Sequence, residues 1–197
     1  HRFDRTTPIE ETMEALDGLV KCGKVRALGA SAMYGYQFYS MQVAAERNGW
    51  TKFCSMQNHY NLLYREDERE IIPLCKQEGV ALTPFSPLAA GRLARVEWKS
   101  DSPRSQMDRT ASPKYDGTQQ TDYEIVRRVH ETAEKHGATM TQVAIAWHMA
   151  KGMTAPIIGA TKAKYLEDAA GALELSFSAE DIAYLEEPYQ PHKVVGR

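Results

Sequence analysis

The stretch VALTPFSPLAAGRL, Val80 to Leu93, sets an aromatic ring beside groups that suit an anion. Its apolar run, Val80 to Phe85, lies between Gly79 and Pro87 and is too short for a helix. It reads as a buried strand that empties into a tight loop. Ser86, Gly91 and the loop's backbone N–H groups could hold a phosphate, and Phe85 offers a flat face next to them. That combination suits a dinucleotide, which carries phosphates and planar rings. The plainer reading, Phe85 as core and Ser86-Pro87-Leu88 as an ordinary turn, stays open from this stretch alone. A second anion signal is Gly159-Ala160-Thr161-Lys162, leading into a helix at Ala163. The N–H groups and positive dipole end of such a helix favour phosphate, and Lys162 and Lys164 add full charges. The alternative for the lysines is a solvated helix start. Ser31 and the pair Gln57-Asn58 follow two other apolar runs, although Gln57 alone could equally be a satisfied amide at the end of a barrel.

Composition narrows the classes. At 197 residues, 43% hydrophobic and 25% charged, the chain suits one soluble domain with a real core. A net charge of -2 leaves no basic stripe for nucleic acid. Cys22, Cys54 and Cys75 form no CxxC pair at zinc spacing and read as reduced, buried thiols of a cytoplasmic protein. Without a long apolar run or a signal peptide, nothing points to a membrane or to export. The chain starts at His1 rather than at a methionine, and is read as the remainder of something longer.

The elements that would position these groups follow in order. Thr7, Pro8 and Glu10 suggest a capping box, and Ile9, Met13, Leu16 and Val20 recur at helical spacing until Gly23. Val25–Gly29 reads as a strand, Tyr36–Asn48 as a helix and Phe53–Gln57 as a strand. Asn58–Arg65 reads as a polar, Tyr-rich loop before a helix from about Asp67 to Glu78. The stretch 96–120 has no periodicity and reads as a long mobile loop. Helices follow from Asp122 to His136 and, capped by Thr139 with Gln142, along Val143, Ala146, Trp147 and Ala150. Ala155–Ile158 reads as the last strand, Ala163–Leu173 and Ser178–Glu187 as the last helices, and 188–197 as an irregular tail. Strand and helix alternate four times with no hairpin signal, which predicts a parallel sheet covered by helices. Right-handed crossovers would bring Ser31, Gln57, Ser86 and Gly159 to one edge. The fold class expected is α/β, with residues 1–197 forming about half of a parallel (β/α)8 barrel; that it is the second half is what the family resemblance below implies.

These motifs resemble the aldo-keto reductases. HRFDRTTPIEETMEAL, KVRALGAS, WTKFCSMQNHYNLLYREDERE, TPFSPLAAGRL and PIIGATKAKYLEDA are similar in order and spacing to the later part of that family, within the branch of aryl-alcohol dehydrogenase-like and versiconal-reductase-like members. The resemblance implies a (β/α)8 barrel that binds NADP(H) and reduces the carbonyl of a small-molecule aldehyde or ketone. It implies that His1 is the active-site histidine at the end of the fourth strand and that Ser31 and Gln57 hold the nicotinamide carboxamide. Phe85 would stack on the nicotinamide, where relatives carry Trp or Tyr. Ser86, Leu88 and Gly91 would line the pyrophosphate, with Arg92 beside them. Gly159, Thr161, Lys164, Tyr165 and Asp168 would surround the adenosine and its 2'-phosphate. Tyr165 stands where relatives often have Gln or Arg, and Ala169 where they have Asn, which bears on the preference for NADPH over NADH. His59 and His148 match no catalytic position and read as structural.

The family's proton-donating Tyr, its Asp and its Lys belong to the first half of the barrel, ahead of His1. None of the ten tyrosines here sits in that motif. The expected partners are therefore an N-terminal half of the same parent chain, or a second copy of this one, with neither nucleic acid nor membrane. Two other readings stand beside the enzyme: a redox-sensing, nucleotide-binding subunit with little turnover, and an inactive half-barrel fragment.

Overall fold

The computed structural model describes residues 1–98 and 112–195. They form two compact units, one of His1–His59 with Asp67–Thr83, the other of Tyr60–Glu66 with the described part of Pro84–Val195.

The first unit is built on a parallel three-stranded sheet in the order β1-β2-β3. β1 (Leu28–Ser31) runs beside β2 (Phe53–Gln57), with Ala30 opposite Met56 and Ser31 opposite Gln57, and β2 pairs with β3 (Ala81–Leu82). Helices α1 (Ile9–Lys21), α2 (Gly35–Asn48) and α3 (Ile71–Gln77) complete it. Met13, Phe38, Met41, Met56, Ile71 and Cys75 form its buried interior. Asp17 turns inward as well and accepts from the Thr51 amide and hydroxyl at 2.9 and 2.8 Å, which ties α1 to the start of β2.

Several boundaries differ from the sequence expectations, each for a local reason. The Thr7–Glu10 capping box does not form, and Pro8 sits at the N-cap of α1 without a side-chain bond. The Asp4 carboxylate instead takes the Thr6 and Thr7 hydroxyls at 2.7 and 2.8 Å. The Thr6 amide and these hydroxyls hold its pKa down at about 2. The strand expected at Val25–Gly29 lies at Leu28–Ser31, because the Lys24 and Val25 amides close the end of α1 on the Leu19 carbonyl. In the same way the Val80 amide goes back to Cys75, so the strand expected at Val80–Phe85 starts at Ala81, and as a ladder it is two residues long. Of the three cysteines read as buried, only Cys75 is; Cys22 and Cys54 are exposed. Burial pushes the Cys75 thiol up to about 12.

In the second unit a short turn of helix, α4 (Ser112–Tyr115), precedes α5 (Gln119–His136), α6 (Met140–Ala150), α7 (Ala163–Ala170) and α8 (Ala179–Glu186). The expected capping box forms at Thr139 with Gln142, and Ser178 forms another with Asp181. The strand expected at Ala155–Ile158 is a single parallel bridge, Phe85 to Ile157, with the Ile157 amide 2.8 Å from the Pro84 carbonyl. Pro84 and Pro156 have no N–H to extend it.

The segment read as a polar loop is interior. Tyr60, Leu62, Leu63 and Tyr64 have no exposed surface. Burial is tolerated because the Asn61 and Tyr64 backbones satisfy each other at 3.1 and 3.0 Å. The Tyr60 ring packs on Trp147 with centroids 5.0 Å apart. The stretch 96–120 is packed at its described ends, since Trp98 and Tyr115 are buried; residues 99–111 of that expected loop lie outside the described residues. The tail has no regular element, as expected, yet it is pinned. Tyr189 and the His192 amide both donate to Glu66 at 2.8 Å, and His192 Nε2 lies 3.0 Å from Asp122. Among the described residues no helix is long and apolar enough to cross a membrane.

Candidate functional site

In the first unit the ladder ends on two of the expected residues. Ser31 and Gln57 are register partners at the last positions of β1 and β2, and Ser31 Oγ donates to the Gln57 carbonyl at 2.8 Å. That bond turns the serine onto its neighbour and leaves the half-buried Gln57 side-chain amide without a partner among the described residues. After Ser31 the chain turns through Ala32, at φ 43°, into α2. The Gly35 amide donates to Glu70 Oε1 at 2.8 Å. A side chain at Gly35 would come within 3.0 Å of that carboxylate, which would have to give way. His1 is exposed and outside any regular element.

In the second unit the bridge from Phe85 to Ile157 sets Phe85-Ser86 alongside the segment that runs into Gly159. Phe85 is half-buried, and the Lys114 ammonium lies 4.9 Å from its ring centroid. The loop that follows is unusual. Ser86, Ala89, Ala90 and Gly91 all have positive φ, at 57°, 48°, 56° and 89°. An L-residue in that region costs about 1–2 kcal/mol, and such positions cluster where a backbone must meet a ligand. Leu88 packs against the apolar cluster of Ile145, Ala146, Ala169 and Ala172, which seats the loop on α6. Arg92 is held between two rings, 5.4 Å from the centroid of Trp98 and 5.1 Å from that of Tyr115.

Gly159, Thr161, Lys164 and Tyr165 are exposed around the start of α7, whose N-cap, Lys162, supplies no side-chain bond to the helix. The Lys164 ammonium lies 5.4 Å from the Tyr165 ring. Asp168 accepts from the Thr139 hydroxyl at 2.9 Å, so it already fastens α7 to the cap of α6. Ala169 turns into the apolar cluster. His148, read as structural, is buried with Nδ1 2.8 Å from the Ala144 carbonyl and Nε2 2.9 Å from that of Tyr60. His59 is buried too.

Residues 1–190 match the model of the Aldo/keto reductase family. The chain belongs to that family. It is 50% identical over 197 residues to an aldo-keto reductase of Fusarium vanettenii, covering all of this chain and 53% of the relative. A Schizosaccharomyces pombe protein with an aryl-alcohol dehydrogenase name is 46% identical over 198 residues, covering all of this chain and 55% of that protein. The versiconal hemiacetal acetate reductase of Aspergillus parasiticus is 44% identical over 196 residues, which is 98% of this chain and 57% of the relative. The chain thus spans about half the length of the curated relatives it matches. The family's fold is the (β/α)8 barrel, and the parallel sheet with intervening helices seen here is α/β of the same kind.

Donor chemistry decides whether this aldo-keto reductase chain fits a nicotinamide dinucleotide. The open Gln57 amide can both donate to and accept from a carboxamide. The uncapped start of α7 with Lys162 and Lys164 suits phosphate. The left-handed loop from Ser86 lets backbone approach a ligand closely. Within each unit the donors present fit a part of such a group.

Two further residues touch Phe85 and Ser86, Lys114 at the ring and Asn61 at the Ser86 carbonyl. Lys114 lies in the aperiodic stretch, where nothing marks it. Asn61 had a usable signal, as a lone amide among Tyr60, Leu62, Leu63 and Tyr64, a run too apolar for an exposed loop.

Proposed function

We propose that this chain supplies the coenzyme-binding part of an NADP(H)-dependent aldo-keto reductase that converts aldehydes or ketones to alcohols. The observation that carries the reading is the pair at the tips of β1 and β2, Ser31 locked onto the Gln57 carbonyl with the Gln57 amide left open. The reductase and dehydrogenase names of the relatives support the reaction class. The bound dinucleotide would supply a hydride. Gln57 and Ser31 would fix the carboxamide and so the ring face presented to the carbonyl. Phe85 would stack on that ring, with Ser86 and Gly91 at the pyrophosphate. Thr161 and Lys164, at the start of α7, would take the 2'-phosphate, and this favours NADPH over NADH. Gly159 and Tyr165 would flank the adenosine, and Asp168 would act by holding α7 in place through Thr139.

His1 would orient the carbonyl. The acid, with its Asp and Lys, would come from a preceding half of the barrel, the proposed partner of this chain. Electrophilic and acid assistance of that kind is worth about 2.7–4 kcal/mol and roughly a hundred- to ten-thousand-fold in rate respectively, so the 197-residue chain by itself would turn over poorly. A cytoplasmic setting goes with this reading.

The test is coenzyme consumption by the protein that contains this chain with a panel of aromatic and aliphatic aldehydes and ketones. Oxidation of NADPH with any of them supports the enzyme. Tight NADPH binding with no turnover would move the assignment to a redox-sensing subunit, and no binding at all would overturn both.

A further inference from the structure

The loop from Ser86 to Gly91 holds three alanine or serine residues in left-handed backbone, a conformation that persists only where surrounding groups enforce it. One buried side chain reaches into that loop in the manner required. Asn61 has no exposed surface. Its Nδ2 donates to the Ser86 carbonyl at 2.9 Å and to the Tyr115 hydroxyl at 3.0 Å, and its Oδ1 accepts from the Leu63 amide at 2.9 Å. The Ser86 carbonyl therefore receives two donors, since the Ala89 amide also reaches it at 3.0 Å. Fixing that oxygen fixes the peptide plane between Ser86 and Pro87, the plane with which the left-handed loop begins.

Asn61 is itself over-determined. The paired backbones of Asn61 and Tyr64 close a tight turn, and the Tyr64 hydroxyl accepts from the Val195 amide at 3.2 Å. The next residues are held as well, because the Arg65 amide donates to the Tyr189 hydroxyl at 2.9 Å and that hydroxyl donates to Glu66 at 2.8 Å. On the far side of the amide, the Tyr115 ring carries the Arg92 guanidinium at 5.1 Å from its centroid. The amide thus joins the turn 61–66, the left-handed loop and the helical turn at Tyr115.

We infer that Asn61 is a positioning residue for the dinucleotide: through the Ser86 carbonyl it holds the loop 86–91 in the left-handed form that meets the bound coenzyme. The inference rests on the nucleotide reading above. It concerns a fully buried residue that acts on the coenzyme site through the Ser86 carbonyl, with Tyr115 as its second hydrogen-bond partner.

The test uses Asn61→Asp, which keeps the shape and the acceptor for Leu63 while replacing the donor, and Asn61→Ser, which is neutral and keeps an acceptor. Both are made in the protein that contains this chain. NADPH affinity is read by titration of protein fluorescence, and backbone order by amide hydrogen exchange over residues 86–93, with residues 140–150 of α6 as the internal control. Loss of the amide donor is expected to weaken NADPH binding about tenfold or more and to speed exchange in the loop by a similar factor, with α6 unchanged. Tyr115→Phe, which leaves the bond to Ser86 in place, is expected to show a smaller change in both. A merely structural role would lower the melting temperature and speed exchange in loop and helix alike, and that outcome overturns the proposal. So does unchanged loop exchange in both Asn61 variants. Should the unmodified protein bind no NADPH, the nucleotide reading falls, and with it the claim that Asn61 holds the loop for a coenzyme, whatever the exchange shows.

Discussion

The tips of β1 and β2 and the loop after Phe85 both carry residues suited to a nicotinamide dinucleotide, and they are held by opposite means. At the tips the backbone does the holding. Ser31 and Gln57 are the last rungs of a parallel ladder, and side chains contribute one bond, from Ser31 Oγ to the Gln57 carbonyl. In the loop no ladder exists among the described residues beyond the Phe85 to Ile157 bridge, four consecutive or near-consecutive positions have positive φ, and side chains enforce the shape: Asn61 on Ser86, Leu88 in the apolar cluster, and Arg92 between Trp98 and Tyr115. A ladder tolerates loss of one side chain. A loop clamped by side chains does not.

The contrast breaks most sharply at Tyr115. Tyr115→Ala removes a buried ring, the hydroxyl bonded to Asn61 and the face under Arg92, and is expected to cost about 3–5 kcal/mol by chemical denaturation. Ser31→Ala at the ladder tip is expected to cost only about 1 kcal/mol, the net value of one hydrogen bond. Equal losses from the two variants would erase the distinction.

Gln57→Ala sharpens the comparison in the other direction. Its amide bonds to nothing among the described residues, so the melting temperature should hold while NADPH affinity drops about tenfold. A fall in melting temperature with unchanged affinity would make Gln57 structural.

His148 offers a pH test of the support beneath Asn61, because its Nε2 lies 2.9 Å from the carbonyl of Tyr60, the preceding residue. Burial lowers the pKa of this imidazole below its ordinary value. The unfolded chain then takes up a proton near pH 6.5 that the folded state resists. Stability should therefore decline as pH falls through about 6.5, by up to about 1.4 kcal/mol per pH unit for this one group, and the decline stops once the folded imidazole also protonates. His148→Gln should flatten that slope in urea titrations at a series of pH values; an identical slope would show that His148 is not its source.

The smallest effect is expected at Ala90, whose φ of 56° suits glycine. Ala90→Gly should raise stability by roughly 0.5 kcal/mol, the relief of left-handed strain less the added freedom of the unfolded chain. A loss of stability would mean that the methyl group packs.

Local chemistry made much of this legible in the residues themselves. Capping boxes at Thr139 and Ser178 formed because each depends on groups three residues apart, and the strand Phe53–Gln57 kept its limits because an apolar run and a pairing partner agree there. The capping box at Thr7 did not form: Pro8 takes the N-cap position, and the Thr7 hydroxyl donates to Asp4 instead. Ser31 and Gln57 were nameable as a pair because parallel connection forces strand ends to one edge.

What the sequence alone determined is the alternation of strand and helix, the family, and the residue types at the strand ends. Tertiary structure alone decided that Asn61 meets Ser86, that Tyr115 meets Asn61, and that the tail is held by Glu66 and Asp122. Those contacts join residues 25 to 126 positions apart, and no local periodicity or propensity encodes a pairing at that separation; it exists only once the chain has packed.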